Sequence, residues 1–155
     1  MKLNLGSGLD RKEGYINVDI LQPAELQHDL RQPLPYEDES IDEIYCRDLI
    51  NHFSRFEWEH IKKDWVRVLK KEGIIHLIVR DLDYVVRQFL ESKDNIYKWG
   101  WWIQCIYAGQ DNEYDFFKNG FNQEKLILDM KEEGVTVLKV DTSDPNFINV
   151  TFQKL

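Results

Sequence analysis

Apolar residues recur along the chain in short runs separated by charged and turn-forming residues. Strand-like runs are predicted at 2–5, 15–20, 26–29, 42–46, 74–80, 135–141 and 147–153. The run Ile74-Ile75-His76-Leu77-Ile78-Val79 is nearly continuous in apolar residues, as a strand covered on both faces should be. The last two runs flank Asp141-Thr142-Ser143-Asp144-Pro145-Asn146, a turn-rich connector suited to a hairpin. Helical spacing is clearest after Ser54. Ser54 and Glu57 have the spacing of a capping box, and Trp58, Ile61, Trp65, Val68 and Leu69 then recur at helical intervals, with Gly73 as the expected stop. This stripe reads as core packing. Further helices are predicted over about 82–91 and about 123–133, the latter ending at Gly134, while the aromatic segment 94–121 fits neither period. Strands alternating with helices and closing on a hairpin specify an α/β sheet whose parallel part binds ligand at the carboxyl ends of its strands.

The first connection is unusually short. Leu3-Asn4-Leu5 meets the turn Gly6-Ser7-Gly8, and the next apolar run, Tyr15 to Val18, already ends on Asp19. A glycine turn directly after a strand, with an acid closing the following strand, is the outline of a nucleotide-binding βαβ unit, the acid being placed to accept from a ribose diol. A dinucleotide fits it poorly. Its fingerprint requires a third glycine opening a helix whose N-terminus holds the pyrophosphate, and here Arg11 stands in that place. Residues 9–14 span little more than one helical turn at ~3.6 residues per turn. S-adenosylmethionine, a nucleoside cofactor without phosphate, answers better to such a loop.

Composition narrows the partners. The 155 residues are 43% apolar and 31% charged, which suits one soluble globular domain over 1–155. No apolar run approaches the ~18–20 residues of a membrane span, and the opening residues lack a signal-peptide pattern. A formal charge of −8 disfavours nucleic acid, whose affinity rests on neutralising phosphates. Cys46 and Cys105, far apart in apolar segments, read as buried free thiols of a reducing compartment, so cytoplasm is the expected location. No Cys/His cluster has metal-ligand spacing, and no nucleophilic-serine motif occurs.

In order and spacing the chain resembles the class I S-adenosylmethionine-dependent methyltransferases, in particular a compact bacterial branch. Leu3-Asn4-Leu5-Gly6-Ser7-Gly8 looks like the family's first motif and Gly14-Tyr15-Ile16-Asn17-Val18-Asp19 like its second. His28-Asp29-Leu30 with Pro33-Leu34-Pro35 resembles the adenine-side segment, and Glu39 to Tyr45 the approach to the fourth strand and the strand itself. Asn51-His52-Phe53 resembles the pair after that strand, Trp65 to Lys70 the helix before strand five, and Ile106 to Gln110 with Tyr114 to Phe121 a late loop. The resemblance implies a Rossmann-like, mostly parallel seven-stranded mixed sheet ending in an antiparallel hairpin, with a shortened first connection. It further implies that Gly6, Ser7 and Gly8 line the methionine part, Asp19 the ribose, and Asp29 with Leu30 the adenine. Arg47 and Asp48 then lie under the transferable methyl. The chain departs from the branch at Asp48, Asn51, Arg80 and Phe117, where histidine, glutamate, proline and histidine are common.

Methyl transfer to a hydroxyl or amine benefits from a base. His52 is the first candidate and Asp48 the second, each also readable as a structural residue. His60 and His76, inside a helix and a strand, read as packing or solvent-facing. In 94–121, a lid or acceptor region, Tyr107, Tyr114 and Asp115 are the expected acceptor contacts, whereas Trp101 and Trp102 read rather as packing. The expected acceptor is a small molecule or glycan-type metabolite. The departures leave open a module that binds the cofactor without turnover. The glycine turn and Asp19 leave open an NAD-dependent oxidoreductase, and the tryptophans a docking domain. The acceptor's identity, the atom methylated and the oligomeric state are not legible.

Overall fold

The computed structural model describes residues 1–155. Seven strands form one sheet: β1 (Lys2–Leu5), β2 (Ile16–Asp19), β3 (Leu26–Gln27), β4 (Ile41–Arg47), β5 (Leu69–Arg80), β6 (Val135–Asp141) and β7 (Phe147–Lys154). Their spatial order is β3-β2-β1-β4-β5-β7-β6. The first five pair in parallel, and β7 lies antiparallel between β5 and β6. This is the expected Rossmann-like mixed sheet with a hairpin at one edge. Four helices accompany it: α1 (Arg55–Val68), α2 (Leu82–Glu91), α3 (Ile96–Tyr107) and α4 (Gln123–Lys131). None is long and apolar enough to cross a membrane.

Helix α1 starts where its cap says it should. Ser54 Oγ accepts from the Glu57 N–H at 3.2 Å, and Glu57 Oε2 accepts from the Ser54 N–H at 2.7 Å. Its buried stripe packs Trp58 edge-on against Trp65, with ring centroids 5.7 Å apart, and Trp58 also meets Phe121. Leu126 and Met130 of α4 complete that part of the core.

Two expectations are corrected. Gly73 does not stop α1: the helix ends at Val68, Leu69 is already extended, and Gly73 lies inside β5. Pairing with β4 jumps from Ile41↔Leu69 to Glu43↔Ile74, so residues 70–73 bulge from the ladder. The left-handed residue there is Glu72, with φ 61°, while a Cβ on Gly73 would meet the Lys70 carbonyl at 2.8 Å. Nor is β5 covered equally on both faces. Ile75, Leu77 and Val79 are fully buried, but Ile74, His76, Ile78 and Arg80 are only partly so.

The reason lies in the first connection, which contains no helix. Where such a helix would cover the sheet, a polar row crosses five strands: Asn17, Asn4, Tyr45, His76 and Thr151 stand at successive register positions. Asn4 Nδ2 donates to Asn17 Oδ1 at 2.7 Å and to the Asp10 carbonyl at 2.9 Å, and the Lys12 N–H donates to Asn17 Oδ1 at 2.8 Å. The two buried amides thereby pin residues 9–14 in place of a helix. Lys12 Nζ sits 4.0 Å from the centre of the Tyr45 ring, and His76 lies 3.0 Å from Thr151 Oγ1 and 3.3 Å from Glu43.

The aromatic segment left unassigned by period is largely helix α3, capped by Asn95, whose side chain accepts from the Lys98 N–H. It packs on α2 through Tyr84 with Trp102 and Phe89 with Trp99. The pair's buried residues, Val85 and Cys105, stand outside the main core cluster.

Candidate active site

β1 has β2 on one side and β4 on the other, so the connections leaving β1 and β4 diverge and open a crevice at the strands' carboxyl ends. A cleft of about 490 Å³ occupies that crevice. Gly6 and Gly8 follow β1, Asp19 closes β2, His28 to Arg31 follow β3, and Asp48 to Phe53 follow β4; all line it except Ile50 and Asn51. A second cavity of about 330 Å³ lies beyond β4 and β5 and includes Arg80, Trp101, Gln104 and Phe117. A third, of about 180 Å³, holds Ser7, Asp10, Tyr45 and Arg47. Asp48 lines all three.

The glycine turn is internally occupied. The N–H groups of Gly6 and Ser7 both donate to the Val18 carbonyl, and that of Gly8 donates to Asp19 Oδ2 at 2.8 Å. Asp19 Oδ1 accepts from the Leu21 N–H at 2.9 Å. Each carboxylate oxygen therefore keeps a free lone pair, while the turn has no spare N–H to cradle a phosphate. Gly6 is needed for two reasons: its φ is +68°, and a Cβ would stand 2.7 Å from both Cδ atoms of Leu49. Ser7 lines the third cavity rather than the main cleft, with its buried Oγ unpartnered.

Asp29 is held by Arg31. The guanidinium donates to both carboxylate oxygens, at 2.9 and 2.7 Å, and keeps the carboxyl below its usual range. The Arg31 N–H also donates to Asp29, whereas the N–H of Leu30 has no acceptor within the protein.

Asp48 follows β4 in the left-handed region, φ 52°, and donates its N–H to the Ile78 carbonyl. Its carboxylate makes no hydrogen bond: Oδ1 is shielded and unpartnered, and Oδ2 lies 3.7 Å from Arg47 Nε. Burial raises its pKa, against the opposing pull of Arg80 and Arg47. Arg47 itself flanks the third cavity and lies over the Phe147 ring.

His52 ends the 3-10 turn Ile50–His52 and faces both larger cavities. Its Nδ1 stands 3.1 Å from the Tyr114 carbonyl, and its ring meets Phe117 edge-on at 4.8 Å. A carbonyl only accepts, so Nδ1 carries the hydrogen, and in the neutral ring Nε2 keeps its lone pair. The Asn51 carbonyl receives the N–H groups of Lys118 and Asn119, tying the late loop down over the site.

Tyr114 and Asp115 line the cleft; Asp115 Oδ2 also accepts from the Asp111 N–H and so shapes its own loop. Tyr107 stands apart from them: it is 53% exposed, ends α3 and lines none of the three cavities. Trp101 reverses its expected role, since it lines the second cavity rather than packing inside. Arg80 was legible only as an oddity; its signal is an arginine at the carboxyl end of a largely apolar strand. His60 is exposed and His76 belongs to the polar row, so neither enters the site.

Charge discriminates among nucleosides. Asp19, Asp29, Asp48, Glu113 and Asp115 line the main cleft against two permanent cations, Arg31 and Lys118. Such a lining repels a diphosphate and complements a sulfonium, and the volume falls within the roughly 300–1,000 Å³ of small-ligand pockets.

Residues 8–77 match the family model described as a methyltransferase domain. No curated protein matches the chain. Among solved structures, the PH0226 protein of Pyrococcus horikoshii is 18% identical, with TM-score 0.69 over 99% of this chain and 81% of that one. A SAM-dependent methyltransferase of Methanosarcina mazei is 15% identical, with TM-score 0.67 over 99% and 92%. The 1,6-didemethyltoxoflavin-N1-methyltransferase of Burkholderia thailandensis, solved with bound 1,6-didemethyltoxoflavin and S-adenosylhomocysteine, is 12% identical, with TM-score 0.68 over 99% and 70%. At these identities the structural likeness establishes the fold. A glycine turn without spare N–H groups, an acidic cleft at the sheet's switch point and the match over residues 8–77 agree: the chain has the Rossmann-like methyltransferase fold, and residues 8–77 are similar to a methyltransferase domain.

Proposed function

We propose that residues 1–155 act as a single domain that transfers a methyl group to a small-molecule or sugar-type acceptor at oxygen or nitrogen. The observation that carries this reading is Asp48, the one residue shared by the cofactor cleft, the cavity beyond it and the pocket beside the glycine turn. Methyl transfer requires two ligands to meet at one point, and the junction at Asp48 supplies it.

In this reading Asp19 accepts from the ribose hydroxyls, the Leu30 N–H and the Asp29–Arg31 pair border the adenine, and Gly6 to Gly8 with Arg47 flank the methionine portion. S-adenosylmethionine, when bound, supplies a methyl group already activated by a positive sulfur, so much of the protein's contribution is alignment and exclusion of water. His52 Nε2, free to accept, removes the proton of the acceptor's hydroxyl or amine, with Asp48 as a second base. Tyr114 and Asp115 border the acceptor on the late loop. The acidic surface supports a small acceptor over nucleic acid, and the free, buried Cys46 and Cys105 support a reducing, cytoplasmic setting.

The test is incubation with S-adenosylmethionine and a panel of small hydroxyl and amine compounds, with S-adenosylhomocysteine measured by mass spectrometry. Turnover that falls ~10²–10⁴-fold in His52→Ala, with cofactor affinity retained, is the expected result. Binding without turnover of any acceptor would instead make the protein a cofactor-binding module.

A further inference from the structure

The second cavity contains two charged groups that the protein leaves without hydrogen bonds. Arg80, at the end of β5, donates to no protein acceptor; its guanidinium lies 4.6 Å from the centre of the Phe147 ring, and its shielded Nε is unpartnered. Asp48 is the second, with no donor to either oxygen within hydrogen-bond distance. The two form no ion pair with each other, although each lines the same 330 Å³ space. A guanidinium has five N–H donors and a carboxylate only acceptors, so a complementary occupant offers an anionic oxygen to one and an N–H or O–H to the other.

Their positions order that occupant. Asp48 also borders the cofactor cleft, whereas Arg80 does not. The donor end of the occupant therefore lies at the cofactor and the acidic end away from it. Trp101 and Phe117 line the same cavity, and their rings offer flat apolar surface. The cavity is at the lower limit of ligand pockets, which suits a single substituted ring.

We propose that the acceptor is a small aromatic acid, bearing a carboxylate that Arg80 binds and a hydroxyl or amine that receives the methyl beside Asp48. This inference rests on the methyltransferase reading and specifies its substrate class. In the step, a lone pair of the acceptor oxygen or nitrogen forms the new bond to the methyl carbon while the carbon–sulfur bond breaks, its electron pair staying on sulfur. The acceptor's proton leaves through His52 Nε2 or Asp48 to water.

Calorimetric titration of the intact protein, first with S-adenosylhomocysteine and then, once saturated, with 4-hydroxybenzoate, 3-hydroxybenzoate and 4-aminobenzoate, tests it. The neutral methyl esters serve as controls. At least one acid is expected to bind tenfold or more tightly than its ester, and Arg80→Gln to abolish that preference while leaving S-adenosylhomocysteine affinity within about twofold, which also reports that the variant is folded. Acids and esters binding alike, tighter binding of the cationic amine benzylamine, or an unchanged preference in Arg80→Gln overturns the inference alone. Failure of S-adenosylhomocysteine to bind overturns the methyltransferase reading with it.

Discussion

Gly8 donates its backbone N–H to Oδ2 of Asp19 at 2.8 Å, so the glycine turn after β1 and the acid closing β2 form one unit. Replacing Asp19 by alanine leaves the Gly8 and Leu21 N–H groups without their acceptor and removes the proposed ribose contact. We expect S-adenosylhomocysteine affinity to fall at least tenfold by calorimetry, with a stability loss of about 1–3 kcal/mol in denaturant titration. Affinity equal to wild type would separate Asp19 from the cofactor.

The Asn4–Asn17 pair replaces the missing first helix. Asn17→Ala strands Asn4 Nδ2 and the Lys12 N–H, and a loss of about 1–3 kcal/mol is expected from urea unfolding. Amide exchange should rise across residues 9–14 before it rises in β4.

Asp48 gives a pH signature. Burial raises its folded pKa, so the protonated form is favoured in the native state and charging it opposes folding. Its contribution to stability is present in full below the ordinary carboxylate range and is lost as pH rises through the raised folded value. Asp48→Asn should therefore melt above wild type at pH 7, with the difference shrinking toward pH 4, while acceptor methylation falls. A variant that melts below wild type at pH 7 contradicts this.

Ser54→Ala is the control. Removing half of the capping box should cost about 1 kcal/mol, or roughly 2–4 °C in Tm, with cofactor affinity unchanged because Ser54 lies outside all three cavities.

The sequence carried the sheet and the shape of the first connection well, because both depend on local signals. Strand runs, the Ser54 cap and the six residues between Gly8 and Tyr15 each have one cheap solution. Gly73 misled because a glycine after a helical stripe reads as a stop, whereas here the left-handed turn falls one residue earlier, on Glu72, in a bulge that only strand pairing reveals. Helix α3 escaped the period test because its aromatic residues face the α2 helix, the second cavity and solvent in turn. Tyr107 and Arg80 exchanged importance for a similar reason. Nearness in the chain suggested the first, but the second reaches the second cavity from the end of β5, well before the late loop in the chain.

The central claim is that the cleft is built for an adenosyl ligand without phosphate. Competitive calorimetry of S-adenosylhomocysteine against NAD on the wild-type protein tests it most directly. The account predicts one-site binding of S-adenosylhomocysteine that NAD at tenfold excess does not displace, with about 2.7 kcal/mol of added stability at 100 times the dissociation constant. Tighter binding of NAD, or no binding of S-adenosylhomocysteine, would contradict it.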